Sequence, residues 1–204
     1  EQKYAEASQV KKILLLRRTE LPMIIVTLFA AAACDPLVKC SSIDRYTALQ
    51  ILNHIVRSGT RNGMVHKLDP TIRKILNTEA IPAVLRILCF PRVSTHVTSV
   101  TFDLATSLVF GFMGYHRGLL AALIERVFPL YITGTFPSGE IMSGTQREIG
   151  LEALRNLLLR EDMFSIIYSS FDCNPVCEYG LKSLMMELSM FTPFKEKVKP
   201  EDIA

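Results

Sequence analysis

Tryptophan is absent from this chain of 204 residues, and histidine occurs only four times. The histidines (His54, His66, His96, His116) are scattered and stand apart from the cysteines, so no zinc ligand set is readable. The five cysteines are Cys34, Cys40, Cys89, Cys173 and Cys177; the number is odd, and Cys173 and Cys177 have C-x-x-x-C spacing, which is not that of a zinc finger. With no Asn-x-Ser/Thr acceptor in the chain, they read as reduced thiols of a cytosolic protein. Long apolar runs are missing too. The most apolar stretch, residues 21–34, is interrupted by Pro22 and Thr27. It falls short of the ~20 residues needed to span a bilayer and reads as a buried core helix. No secretory signal is visible at the N-terminus. Charge of one sign is scarce: a net +3 is too small to argue nucleic-acid binding.

Catalytic motifs are equally lacking. Gly111, Gly114 and Gly118 follow a helical pattern rather than a strand, and no Lys-Ser/Thr comes after them, so they form no phosphate-binding loop. No Gly-x-Ser-x-Gly nucleophile elbow exists. Cys173 adjoins the expected helix start at Asn174-Pro175, where a thiol pKa can fall, but its apolar flanks favour a buried structural thiol. Glu161 and Asp162 complement a helix dipole and need no acid–base role. No cofactor and no metal is implied, and the chain reads as a protein without enzymatic activity of its own.

What is present is apolar mass: 49% of residues are hydrophobic and 21% charged, enough to bury a large core. Periodicity predicts about nine helices in series and no strand pair. The helical stretches are residues 2–18, 21–33, 45–57, 70–76, 78–90, 95–112, 115–131, 146–158, 162–168 and, after a corner, from 175 onward, ten if the short ones at 70–76 and 162–168 are both counted. Asp44 is placed to cap the third of these, and Pro70 suits a first helical position behind Asp69. Pro82 is expected in a first turn, and Pro129 to end or kink its helix. Residues 58–63 read as a loop, and residues 134–144 as the longest and most mobile one. Thr145-Gln146-Arg147-Glu148 reads as a capping box. Residues 191–204 form a charged, fraying tail. Short antiparallel helices, each with a broad apolar stripe, suit one all-α domain over residues 1–204, an armadillo/HEAT-like α-solenoid, with a globular helical bundle as the alternative. Lys11, Lys12, Arg17 and Arg18 flank an apolar core and read as a solvated basic face or as a contact for acidic lipid or an acidic partner.

The most informative stretch is Tyr168-Ser169-Ser170-Phe171-Asp172-Cys173-Asn174. An aromatic ring and a thiol favour burial, while the acid and the amide need hydrogen-bond partners. A packed corner follows, in which Phe171 and Cys173 turn inward, Asp172 accepts from nearby backbone amides and Asn174 caps the last helix. Residues 119–190 resemble the HUS region of the large Golgi Arf guanine-nucleotide exchange factors, the GBF and BIG class. The family box, Asn-Tyr/Phe-Asp-Cys-Asp/Asn behind a helix ending in Tyr, is matched at Tyr168, Phe171, Asp172, Cys173 and Asn174 and departs at Ser170. Glu125-Arg126-Val127-Phe128-Pro129 and Arg147-Glu148 with Leu151-Glu152-Ala153-Leu154 resemble the family as well. The resemblance implies a non-catalytic regulatory region upstream of an exchange domain, with a DCB region as a neighbour or a part. It further implies self-association or docking with that region, and recruitment to Golgi membranes through activated small GTPases of the Arf or Rab type. A generic armadillo/HEAT scaffold is the alternative, although such grooves usually carry an Asn/Trp ladder that this chain lacks.

Overall fold

The computed structural model describes residue 20 and residues 22–33, 44–61, 70–91, 93–111, 117–173 and 180–191. Among them no strand occurs; an isolated antiparallel bridge joins Thr135 and Ile141. The helices are α1 (22–33), α2 (Arg45–Arg61), α3 (Pro70–Leu88), α4 (Thr95–Gly111) and α5 (Arg117–Ala122). Helix α5 runs through a π-turn (Leu123–Val127) into α6 (Phe128–Thr133). Then come α7 (Gly144–Leu158), α8 (Met163–Ile167) with a second π-turn (Tyr168–Asp172), and α9 (Gly180–Phe191). The all-α class expected from the sequence is therefore what the described residues show. The expected helix at residues 2–18, with Lys11, Lys12, Arg17 and Arg18, lies outside the described residues, as do Asp69, Gly114, Asn174 and residues 192–204 of the tail; Phe191, where the tail was expected to begin, is the last residue of α9.

Helix α4 is central: it packs against α2 and α7, and also against α3 and α5. Its Thr- and Val-rich sequence is a poor helix former, yet it buries Val97, Thr98, Thr101, Phe102, Leu104, Ala105, Leu108 and Val109. The two threonines are harmless inside because their hydroxyls donate back to the Ser94 and Val97 carbonyls, at 3.1 and 2.7 Å. Apolar burial at roughly 25 cal/mol per Å² then outweighs propensity.

The same balance corrects three boundaries. Helix α2 continues through Ser58, Gly59 and Thr60 to Arg61, where a loop was expected. The roughly 1 kcal/mol cost of a helical glycine is met by Leu49, Leu52 and Val56 packing inward and by Arg57 reaching Asp103 and Ser107 on α4. Residues 70–88 form one helix rather than two, with Pro82 in its interior. Pro82 and Thr78, the residue whose carbonyl it leaves without an amide, are both exposed, so water can take the missing bond. The face of Leu76, Ala80, Ala83, Val84 and Ile87 stays buried and unbroken. Finally, α7 is capped by Ser143 and not Thr145: the Gln146 amide donates to Ser143 Oγ at 3.2 Å. The N-cap thus lies two residues earlier than expected, and the Gln146 side chain accepts from the Ser143 hydroxyl at 3.2 Å instead of from a backbone amide. Asp44, by contrast, caps α2 as expected, accepting from the Thr47 amide at 2.7 Å.

Several helix ends are closed by side chains from distant helices. Arg86 of α3 donates to the Ala33 carbonyl at 3.3 Å, at the end of the described part of α1. The Tyr131 hydroxyl donates to the Leu88 carbonyl at 3.1 Å, at the end of α3. The Gln146 amide nitrogen donates to the Val93 carbonyl at 2.7 Å. Arg147 reaches back to the Tyr131 and Ile132 carbonyls at 3.3 and 2.8 Å, closing α6. Each bond satisfies a carbonyl that a helix end or a loop leaves without a partner. Tyr131 is the hinge of this arrangement. It is 1% exposed and meets Phe102 edge-on at 5.1 Å. Phe102 in turn stacks on Phe128 at 5.9 Å. Burial, with a smaller contribution from Cys89, pushes the Tyr131 phenol far up from its usual range.

The loop after α6, expected to be mobile, is tied down. Gly134 adopts φ 74° and closes α6, its amide donating to the Leu130 carbonyl at 2.8 Å. Met142 N to Gly134 O (2.8 Å) and Phe136 N to Glu140 O (2.9 Å) then make a small hairpin, and Phe136 and Met142 are buried.

Candidate functional site

The apolar residues leading into the box corner are Met163, Ile167 and Phe171, four apart each time, and all three are buried. An α-helix turns about 100° per residue, so a four-residue repeat drifts by about 40° at each step. A straight helix would carry Phe171 away from the core. The π-turn absorbs the drift: the Cys173 amide donates to the Tyr168 carbonyl at 3.0 Å, one residue beyond the α spacing. The other π-turn has the same cause. The buried pairs Leu119-Leu120, Leu123-Ile124, Val127-Phe128 and Tyr131-Ile132 also repeat every four residues. There the Phe128 amide bonds to the Leu123 carbonyl, and Pro129, which has no amide to donate, follows directly. This four-residue period was the readable signal for both turns; reading it as ordinary helix period missed them.

At the end of the turn, Asp172 is half-buried and reaches across to α9. Its Oδ2 accepts from the Leu181 amide and its Oδ1 from the Lys182 amide, both at 3.1 Å. A carboxylate held by the first free amides of a helix also meets the positive end of its dipole. Asp172 therefore staples the corner to the start of α9, whose Leu181 and Leu184 are buried. The expectation that Asp172 accepts backbone amides is met, with α9 as the donor. The described part of the helix it holds is Gly180–Phe191, and the expected start at Pro175 lies outside the described residues. Asn174, the expected cap, lies outside the described residues.

The remaining box residues divide. Phe171 is 5% exposed and belongs to the core. Cys173 is exposed, which corrects the expectation that it packs inward. Tyr168 is exposed as well, at 53%. The extra residue of the π-turn sets Tyr168 beside Cys173: a hydrogen bond with the Cys173 side chain holds the phenol above its usual range, with Asp172 adding slightly. So the corner has a dry side, Phe171, a stapling acid, Asp172, and a wet side, Tyr168 with Cys173. Among the described residues, no group of three or more His, Cys, Asp and Glu could hold a metal ion. No helix among them is long and apolar enough to cross a membrane.

A family model described as Mon2/Sec7/BIG1-like, HUS domain, matches residues 25–179. The chain belongs to this Sec7-like HUS family. No curated protein and no solved structure shows significant similarity to it. The HUS match begins within α1, so it takes in the upstream helices as well as the part from residue 119. It ends at residue 179, just short of α9, so the HUS segment contains the stapling acid but not the helix it caps. The HUS domain is a regulatory region of Sec7-like Arf exchange factors and is distinct from their exchange domain.

Proposed function

We propose that this chain acts as a non-catalytic regulatory module of an Arf guanine-nucleotide exchange factor, by self-association or by docking with the DCB region. In this role it helps bring the factor to the cytoplasmic face of Golgi membranes through activated small GTPases of the Arf or Rab type. The family match carries the reading. The corner supports it physically: Asp172 fixes α9 against the box while Tyr168 and Cys173 stay at the surface, open to a partner. The packing also supports an α-solenoid. Helices α2, α4 and α7 lie side by side, α4 in the middle, while α3 and α5 pack against each other and against α4. Lys11, Lys12, Arg17 and Arg18 supply a basic stretch suited to anionic lipid.

The test measures association of the chain with itself and with an isolated DCB region, by sedimentation and calorimetry. It also measures recruitment to liposomes bearing GTP-loaded Arf or Rab. Binding in at least one of these assays is expected, weakened by Asp172→Ala. A chain that stays monomeric, ignores the DCB region and is not recruited by either GTPase refutes the proposal. Liposome binding by the basic stretch should fade with rising salt; no binding even at low salt removes that part.

A further inference from the structure

Away from the box corner, the C-terminal half of α2, the C-terminal half of α4 and the turn after α7 enclose a groove of about 420 Å³. Arg57, Asp103, Ser107, Phe110 and Arg160 line it. Its two arginines are held in place before any partner arrives. The Arg160 guanidinium lies 3.8 Å above the centre of the Phe110 ring, which orients its planar fork and limits its freedom. Arg57 donates from Nε to Ser107 Oγ at 3.3 Å and pairs with Asp103 at 3.6 Å. Ser107 is itself fixed by donating its one hydroxyl proton to the Asp103 carbonyl at 2.7 Å, with Asn53 Oδ1 as the alternative acceptor at 3.2 Å. The Arg57–Asp103 pair is long, and its side chains are 48% and 56% exposed. Such a pair contributes little and yields readily to a better placed acid.

We propose that this groove binds a mixed-charge segment of a protein partner, which sets a carboxylate between Arg57 and Arg160. Phe110 and Arg160 are shared with an adjoining hollow of about 370 Å³ that also contains Leu159, Glu161 and Asp162. A basic side chain of the same segment is seated there, next to the exposed Leu159. The flanking acids decide between a protein and a lipid surface. Two arginines are set among three carboxylates (Asp103, Glu161, Asp162), so the region as a whole repels an anionic bilayer. A flat membrane also fits a concave groove poorly. A segment that alternates acid and base matches both hollows. The groove is separate from the box corner, so the proposal stands or falls independently of the one above.

The probe is a synthetic array of short fluorescein-labelled peptides, each carrying one glutamate and one lysine at varied spacing, read by anisotropy against the 204-residue chain. Binding by at least one spacing is expected, and lost when its glutamate becomes glutamine. Arg160→Ala should weaken it about tenfold, the usual scale for losing one charge-assisted bond. Arg160→Lys should restore it only in part, because the ammonium lacks the planar fork. Asp103→Asn should tighten binding, since it removes the internal competitor for Arg57; a purely structural Asp103 would give no gain. The proposal is overturned if no spacing binds, or if the best peptide binds Arg57→Ala and Arg160→Ala chains as tightly as the parent. It is equally overturned if Arg160-dependent binding appears instead on phosphatidylserine-containing vesicles.

Discussion

Replacing Asp172 by alanine removes both acceptors that hold the first amides of α9, each now bonded at 3.1 Å. Losing a helix N-cap costs about 0.5–2 kcal/mol. The dipole contribution of a partly buried acid is part of the same effect and is not added again. Because Asp172 is half-buried and joins segments nine and ten residues apart, the upper part of that range is expected, about 1–2 kcal/mol. For a chain of this size each kcal/mol lowers Tm by about 2–4 °C. Asp172→Ala should therefore melt several degrees below the parent by circular dichroism. Asp172→Asn keeps one carbonyl acceptor and should fall between the two. Hydrogen exchange locates the effect: the Leu181 and Lys182 amides should lose protection, while the Gly134 amide, which closes α6 through the Leu130 carbonyl, should not. An alanine variant with parent-like melting and unchanged protection at residues 181 and 182 would refute the staple. So would an asparagine variant less stable than the alanine one.

A methyl group at Gly150 would land inside the Tyr131 ring, so Gly150→Ala should destabilise by about 1–3 kcal/mol, the scale of overpacking. At an unhindered helical site the same change would gain up to about 1 kcal/mol, so the sign of the Tm shift decides. Tyr131→Phe leaves the Leu88 carbonyl without its donor and should cost about 1 kcal/mol in urea unfolding; an unchanged midpoint would show that bond to be idle. The Thr47 backbone amide, then the Thr47 side chain, holds the Asp44 carboxyl below its ordinary value of 3.8. Its contribution to α2 is therefore complete above the unfolded value and lost as pH falls through the lower folded value. Exchange protection of the Thr47 amide should persist to pH 3.8 and fade only in stronger acid; loss already at higher pH contradicts the sign. Cys173 is exposed, whereas Cys89 is half-buried with its thiol pushed up by burial. Site-resolved mass spectrometry should find Cys173 alkylated before Cys89 in the native chain, and equal rates at these two would contradict the exposure.

The contrast between Cys173 and Phe171 shows where sequence reasoning stops. Both side chains are apolar enough to suggest burial, and a corner that buried both was the natural reading. Only one side of a helix faces the core, however, and which side depends on the local turn. The four-residue spacing of Met163, Ile167 and Phe171 widens the helix into a π-turn, and that turn carries Cys173 outward beside Tyr168. The spacing is present in the sequence, but it is informative only when compared with the 3.6-residue period of an ordinary helix. The helical class and most elements were legible because each depends on a local apolar stripe. The cap at Asp44 was legible because its partner is three residues away. The bonds from Arg86 to Ala33, Tyr131 to Leu88 and Gln146 to Val93 span 43 to 53 residues, and no local pattern marks them. The same long-range contacts explain the misplaced breaks. Local signals at Gly59 and Pro82 predicted interruptions, but each costs only about 1–3 kcal/mol, less than the buried face on either side provides. In this chain the breakers mark where a helix is weak, and packing at a distance decides where it ends. Asp172 belongs to both classes: the motif names the residue, and only the fold shows that the amides it holds are those of Leu181 and Lys182, nine and ten residues on.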